Sequence, residues 1–298
     1  MFISDNIFAQ LHIPFIKPIT DSSISYKALT IIPIKFINQA EPTATIIDVE
    51  TAIRLGKLQV NEYYFNGDGN IKLLQVSNKS GSIVCIPAGT VLQGGKQDRM
   101  VAQTQLIPPK TKDVFIDVFC VEKGRWSNKS KNFSYGGMAD FRLKKWMDST
   151  GSQFHIWREI ENRLPNENLL QTTWPYTKWL FAFNKEQNEY VQFFQQYLAK
   201  TDSSFAGFIA VADTTIIGCH LFANKPLMAA CFKPIIISWV HYLQYANLLK
   251  TEPFVKKDEL DNYIDKVMGS YQKQKLYLKN HGKAYYDGSK LIHIVAFE

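Results

Sequence analysis

Cysteine is scarce. Cys85, Cys120, Cys219 and Cys231 are the only four in 298 residues, and they are widely spaced without a C-x-x-C pair. That excludes the usual zinc knuckles and thioredoxin-type motifs and argues against a disulfide scaffold. Histidine is also sparse, at six, with neither H-x-H nor H-E-x-x-H spacing. Cys219 and His220 are adjacent rather than ligand-spaced, so no metal site is expected. No G-x-S-x-G elbow and no G-x-G-x-x-G fingerprint occur. Long hydrophobic runs are missing too. The nearest, Pro226–Leu249, is interrupted by Lys233, Pro234 and His241, so no membrane span is expected. The first residues lack a basic n-region and carry an early Asp5, which does not read as a signal peptide. Together these absences point to a soluble protein of a reducing compartment, the cytoplasm.

What is present is ordinary globular composition: 46% apolar and 20% charged residues, with Gly 16 and Pro 12. That balance excludes disorder, collagen and coiled coil. A chain of this length buries roughly three quarters of its unfolded surface and needs no staples. The net charge is +7, and much of the excess is local. Lys123, Arg125, Lys129, Lys131, Arg142, Lys144 and Lys145 face only Asp140 between positions 123 and 145. Such a stretch is either a solvated face or an anion attractor. Trp126, Phe133, Tyr135 and Phe141 interleave with it, so nucleic-acid binding through residues 123–145 is one alternative.

Periodicity divides the chain into two lobes. Residues 28–127 read as β-rich, with strands over Ala28–Phe36, Gln59–Phe65, Ile71–Ser77, Ser82–Pro87 and Val114–Glu122. A short helix, Asp48–Leu58, ends at Gly56, and Asn66 to Asn70 reads as a hairpin turn. Residues 137–298 read as helical, with helices over Ser152–Leu164 (stopped by Pro165), Asn184–Lys200 (opened by a cap box from Asn184 to Gln187) and Lys257–Lys279. Asn224 caps a further long apolar helix that has Pro226 in its first turn and Pro234 in its interior. A strand pair near 205–219 and a closing hairpin turning at Asp287-Gly288 belong to the same lobe. The expectation is an α+β fold, a β-rich N-terminal lobe packed on a helical C-terminal lobe that also contributes strands. Ile83–Leu92 and Phe208–Ile217 share an apolar pattern around a tight turn, which either a duplication or two unrelated hairpins would produce.

Two polar clusters stand out. Leu92-Gln93-Gly94-Gly95-Lys96-Gln97-Asp98-Arg99-Met100 lies between strand-like runs. Paired glycines open backbone conformations closed to other residues, and consecutive N–H groups in such a turn form an anion nest beside Lys96 and Arg99. It is not a P-loop, because Thr90 stands where a glycine is needed and Gln97 where a Ser or Thr is needed. The plain alternative is a glycine-rich β-turn with surface charges. The second cluster is Asp117-Val118-Phe119-Cys120-Val121-Glu122-Lys123-Gly124-Arg125-Trp126. On a strand, Glu122 ends the apolar row Ile116, Val118, Cys120. A carboxylate there wants a partner, and Arg99 or Arg125 offers a bidentate one. Arg125 and Trp126 also suit a base or ribose-phosphate, as guanidinium and stacking plane. Cys120 reads as a small buried hydrophobe.

The stretches PAGTVLQGGKQDRM (Pro87–Met100) and VFIDVFCVEKGRW (Val114–Trp126) resemble the hallmark of the ARPP domain, the ADP-ribosylglycohydrolase- and rhodanese-phosphatase-associated protein domain. SQFHIWREI (Ser152–Ile160) and GFIAVADTTIIGCHLF (Gly207–Phe222) are similar to its downstream pattern. The resemblance implies a role near ADP-ribose or NAD-derived metabolites, as ligand binder or as partner of ADP-ribose-metabolism proteins. It carries to Gly94, Gly95, Lys96, Gln97, Arg99, Cys120, Glu122, Arg125 and Trp126, and it brings no catalytic assignment and no cofactor.

The functional expectation is a site for a small phosphorylated, nucleotide-derived ligand. Lys96 and Arg99 neutralise phosphate, Gln97 gives polar readout beside Gly94 and Gly95, Glu122 orients Arg125, and Trp126 stacks. Clusters on opposite faces would end that idea. The enzymatic alternative is hydrolysis or transfer on such a ligand, with Glu122 as general base and Cys120 as nucleophile. Full salt-bridging of Glu122 to an arginine favours a structural role instead.

Overall fold

A computed structural model of the chain describes residues 16–37, 45–65, 68–127, 130, 132–163, 173–182, 184–200 and 204–298. The expected turn at Asn66-Gly67, the helix stop at Pro165, and Lys129 and Lys131 lie outside the described residues. So does the side chain of Asn184, with its cap box.

The fold is mixed α+β and divides into two compact units, each discontinuous in sequence. One unit comprises residues 1–43, 189–232 and 242–298. Its sheet runs in the order Ile16–Pro18, Leu29–Phe36, Phe205–Ala212, Thr215–Phe222, Lys290–Phe297, Gly282–Asp287, with Ile24–Tyr26 also on Leu29–Phe36. Phe205–Ala212 is buried at all eight positions, which its unbroken apolar run requires of a strand covered on both faces. The helix Lys257–Met268 lays Leu260, Tyr263, Val267 and Met268 onto Ile32, Ile34, Ile209, Leu221 and Ile294 of this sheet. The single helix expected over Lys257–Lys279 is two. Ser270 leaves helical geometry and its hydroxyl caps a second helix, Tyr271–His281, by accepting from Lys273 N at 3.2 Å.

The other unit comprises residues 44–188 and 233–241. A six-stranded sheet runs Ser134–Met138, Thr90–Gln93, Arg99–Val101, Val114–Cys120, Asp68–Asn78, Leu58–Phe65. A three-stranded sheet, Gln105–Ile107, Ile83–Ile86, Ile46–Asp48, shares its core. Alternation sends Leu58, Val60, Leu74, Val76, Ile116 and Val118 inward, together with Val84, Ile86, Leu92 and Val101. Asp48 caps the helix Val49–Arg54 by accepting from Thr51 N at 2.8 Å, and Gly56 at φ +65° ends the turn after it.

The expected boundary near residues 127–137 does not coincide with this division. Leu29–Phe36 pairs along its length with Phe205–Ala212, so the first long strand belongs with the last third of the chain. Nor do the two similar apolar segments fold alike. Phe205–Ala212 and Thr215–Phe222 form a hairpin with each other. Ile83–Ile86 pairs with Gln105–Ile107 and Ile46–Asp48, while Thr90–Gln93 joins a different sheet.

The helix Lys225–Tyr245 begins as expected, with Asn224 accepting from Leu227 N at 2.9 Å and Pro226 in the first turn. Residues 225–232 and 242–245 fall in the first unit and 233–241 in the second. It is the one described helix long and apolar enough to cross a membrane, and 72% of its most apolar window is buried inside the fold. Leu227, Cys231, Ile236, Trp239, Val240 and Leu243 are fully buried, as in a core helix.

Candidate functional site

The two polar clusters meet in the second unit. Thr90–Gln93 and Arg99–Val101 pair antiparallel, which makes residues 94–98 the loop of a hairpin. Arg99–Val101 pairs in turn with Val118–Cys120, and this brings the segment 121–126 alongside that loop. Val121 N donates to Asp98 O at 2.9 Å.

The loop takes a shape that only its glycines permit. Gly94 sits at φ +140° and Gly95 at φ +51°. A Cβ on Gly95 would come within 2.3 Å of the buried Phe133 ring and 2.4 Å of Glu62 Oε1. The close approach that the glycines allow is therefore made by the protein's own Phe133 and Glu62. Two of the loop amides are likewise occupied. Gly94 N donates to Asp98 Oδ1 at 3.0 Å and Lys96 N donates to Glu62 Oε1 at 2.6 Å. Carboxylates of the chain fill the expected anion nest.

Arg125 ties the clusters together. Its Nη1 donates to Gly95 O at 2.6 Å and Ser127 O at 2.8 Å, and its Nη2 donates to Gly94 O at 3.2 Å, Asp98 Oδ1 at 3.2 Å and Glu122 Oε2 at 2.5 Å. Glu122 Oε2 accepts as well from Asp98 N at 3.2 Å. Thr177 donates its hydroxyl to Asp98 Oδ2 at 2.9 Å. Glu122 is thus salt-bridged to Arg125, the arrangement that favours a positioning role for it. The expected row Ile116, Val118, Cys120, Glu122 is buried as alternation required. The strand itself stops at Cys120, and Glu122–Lys123 pairs instead with Trp174–Pro175.

Arg99 is different. Its residue exposure is 0%, yet only Nη1 is hydrogen-bonded, to Gln97 O at 3.1 Å and Gln97 Oε1 at 3.4 Å. Nη2 lies 3.6 Å from Glu62 Oε1, beyond hydrogen-bond length. Nε and Nη2 are buried without a hydrogen-bond partner, and so is Glu62 Oε2. Above them lies Trp126, 43% exposed. The Arg99 guanidinium carbon is 5.7 Å and the Lys96 ammonium 5.0 Å from the centroid of its ring, within cation–π range. Among the described residues six charged groups converge here, three of each sign: Glu62, Asp98 and Glu122 with Lys96, Arg99 and Arg125.

Glu62 is the residue that sequence reading missed. Its signal is the one that marked Glu122: it ends an inward row, Leu58, Val60, Glu62, all at most 5% exposed. Cys120 lies beneath the site, with its backbone N–H and C=O bound by the Gln153 amide at 2.8 and 2.7 Å. Burial raises its thiol pKa and the nearby Glu62 raises it further, against the opposing charge of Arg99. This thiol is held protonated, the opposite of what a nucleophile needs.

A second buried network adjoins this one. The Asp140 carboxylate caps the helix Phe141–Thr150 through Arg142 N and Leu143 N, and it also accepts from Arg163 Nε at 2.9 Å, Arg163 Nη2 at 3.0 Å and Tyr176 OH at 2.8 Å. Burial alone would raise its pKa, but the Arg163 charge and these hydrogen bonds hold it below the usual value. Consecutive residues Tyr176 and Thr177 thus donate to Asp140 and Asp98, linking the two networks.

The described part of the basic stretch is largely paired with carboxylates, some a turn away and some distant in sequence. Lys123 pairs with Glu161 at 2.5 Å, Arg142 with Glu159 at 3.7 Å, and buried Lys144 with buried Asp148 at 2.6 Å, besides the Arg125 pairs. Phe133 and Phe141 are buried, leaving Trp126 as the large exposed aromatic of the segment. Among the described residues no group of three His, Cys, Asp or Glu is placed to hold a metal, and none of the four cysteines forms a disulfide.

No curated protein and no solved structure matches the chain. A family model does, over residues 19–295, and it spans both units and includes every residue of the cluster. The chain belongs to the family of the ARG and Rhodanese-Phosphatase-superfamily-associated Protein domain, ARPP-1.

Proposed function

We propose that this protein binds a small phosphorylated ligand of nucleotide or ADP-ribose type where the Gly94–Arg99 loop meets Glu122–Trp126. The observation that carries the reading is Arg99, a fully buried guanidinium whose Nε and Nη2 have no hydrogen-bond partner, beneath a half-exposed indole. A buried arginine donor left unmet costs on the order of 1–3 kcal/mol or more, so a protein that keeps one gains by meeting it on binding. Arg99 and Lys96 receive the phosphate and Trp126 stacks on the base or sugar. Gln97 fixes Arg99 and offers its amide. Gly94 and Gly95 shape the loop, and Glu122, Asp98 and Arg125 hold it. The family description, with its ARG association, agrees with an ADP-ribose-like ligand, and four reduced, buried cysteines agree with a cytoplasmic setting. Binding is favoured over the hydrolase or transferase alternative by the engagement of Glu122 Oε2 and the raised Cys120 thiol. It is favoured over nucleic-acid binding by the ion pairs of the segment 123–145.

A thermal-shift panel tests this with ADP-ribose, NAD, AMP, inorganic phosphate and a short RNA. The wild type is compared with a Lys96→Ala/Trp126→Ala variant, whose two side chains are partly exposed. A ligand at 100 times its Kd adds about 2.7 kcal/mol. A shift with a nucleotide-like ligand that disappears in a folded variant supports the site. No shift with any phosphate compound refutes it, and a shift with RNA alone favours the basic segment.

A further inference from the structure

The cluster offers its ligand an acceptor as well as donors, and we infer from this that Glu62 is a specificity-determining residue. Its free oxygen takes a hydroxyl hydrogen from the ligand, so the ligand class is a hydroxylated phosphate ester such as a sugar phosphate, not a bare anion. The inference rests on the binding site proposed above and deepens it.

Glu62 Oε1 is spent on Lys96 N and the Arg99 ion pair, while Oε2 is buried with no hydrogen-bond partner. Gly69 and the Lys96 stem pack against it, so that a Cβ on Gly69 would lie 3.5 Å from Oε2 and only 3.1 Å from Lys96 Cδ; the flexible Lys96 side chain is what a ligand displaces to reach this oxygen. A carboxylate oxygen in that position repels a phosphate oxygen and accepts from an O–H. The unmet donors belong to Arg99, which is ion-paired with the same carboxylate. A ligand meeting both must therefore present an anionic oxygen and a hydroxyl a few bonds apart. The charge balance agrees. With three cations against three carboxylates among the described residues, the cluster gives a bare dianion little net attraction. A hydrogen bond to the carboxylate supplies what net charge does not.

The test measures binding of ribose 5-phosphate and of n-pentyl phosphate, equal in charge and carbon count, by isothermal titration to the full chain and to Glu62→Gln. A hydrogen bond to a charged group predicts that the wild type prefers ribose 5-phosphate by about tenfold. Glu62→Gln lets the side-chain oxygen still accept from Lys96 N but removes the charge. It is expected to reduce the preference below threefold and to raise affinity for inorganic phosphate, because Arg99 is released from its counter-charge. Equal wild-type affinity for the two esters overturns the inference and leaves the phosphate site standing, even if Glu62→Gln does not fold. A preference kept intact in folded Glu62→Gln also overturns it. Binding of neither ester, nor of any ligand of the thermal-shift panel, overturns both readings together.

Discussion

Replacing Arg125 by alanine is the most informative perturbation of this molecule. The guanidinium makes five hydrogen bonds, two of them to the carbonyls of Gly94 and Gly95 and two to the carboxylates of Asp98 and Glu122. Those carboxylate side chains are 0% and 4% exposed, and that of Arg125 is 12%. Removing the cation strands two buried anions, and breaking a buried pair in this way costs about 3–5 kcal/mol. Folded domains hold only about 5–15 kcal/mol in total, so the loss is a large share of the stability. In a chain of this size it corresponds to a fall in melting temperature of roughly 10 °C, readable by circular dichroism. Arg125→Lys is expected to recover little, because one ammonium cannot span the two carbonyls and two carboxylates that the planar fork reaches. Arg125→Ala combined with Glu122→Gln is expected to recover part of the loss, since one stranded charge is gone. A melting temperature for Arg125→Ala within 2 °C of wild type would refute the clamp and the reasoning built on it.

Two further outcomes follow from the buried titratable groups. His241 donates Nδ1–H to Met138 O at 3.0 Å and holds Gln187 on its other nitrogen, and burial lowers its pKa from 6.5 to about 4 against the raising effect of Asp140. The unfolded chain then binds the extra proton between these values, so stability is full above pH 6.5 and falls toward pH 4. The loss is at most about 3 kcal/mol, and urea titrations across that range should show the slope reduced in His241→Gln. Cys120, buried and with its pKa raised, is expected to resist iodoacetamide at pH 7.5 in the native state and to react on unfolding. Rapid native alkylation found by peptide mass spectrometry would restore the nucleophile alternative.

Much of the secondary structure was legible because its causes are local. Asn224 and Pro226 opened their helix as read, Phe205–Ala212 was a strand from its unbroken apolar run, and Asp48 and Gly56 bounded a short helix. The break at Gly269-Ser270 was missed, because the apolar spacing of Leu260, Ile264, Val267 and Tyr271 runs across it. That the two polar clusters belong together was an inference from density alone, and the strand pairing of Arg99–Val101 with Val118–Cys120 supplies the reason.

By itself, the sequence determined the inward alternation, the caps, the glycine turn and membership of a family. Only the tertiary structure decided which charges meet. The stretch 123–145 looked cationic because one carboxylate lay within it, whereas Glu122 and Asp148 pair with it from just beyond its ends and Asp98, Glu159 and Glu161 reach it through folding. Likewise, Glu62 and Arg99 are 37 positions apart and share one buried ion pair. Hydrophobic period is a property of neighbours along the chain. Charge compensation is a property of neighbours in space, where burial makes each unmet donor or acceptor costly.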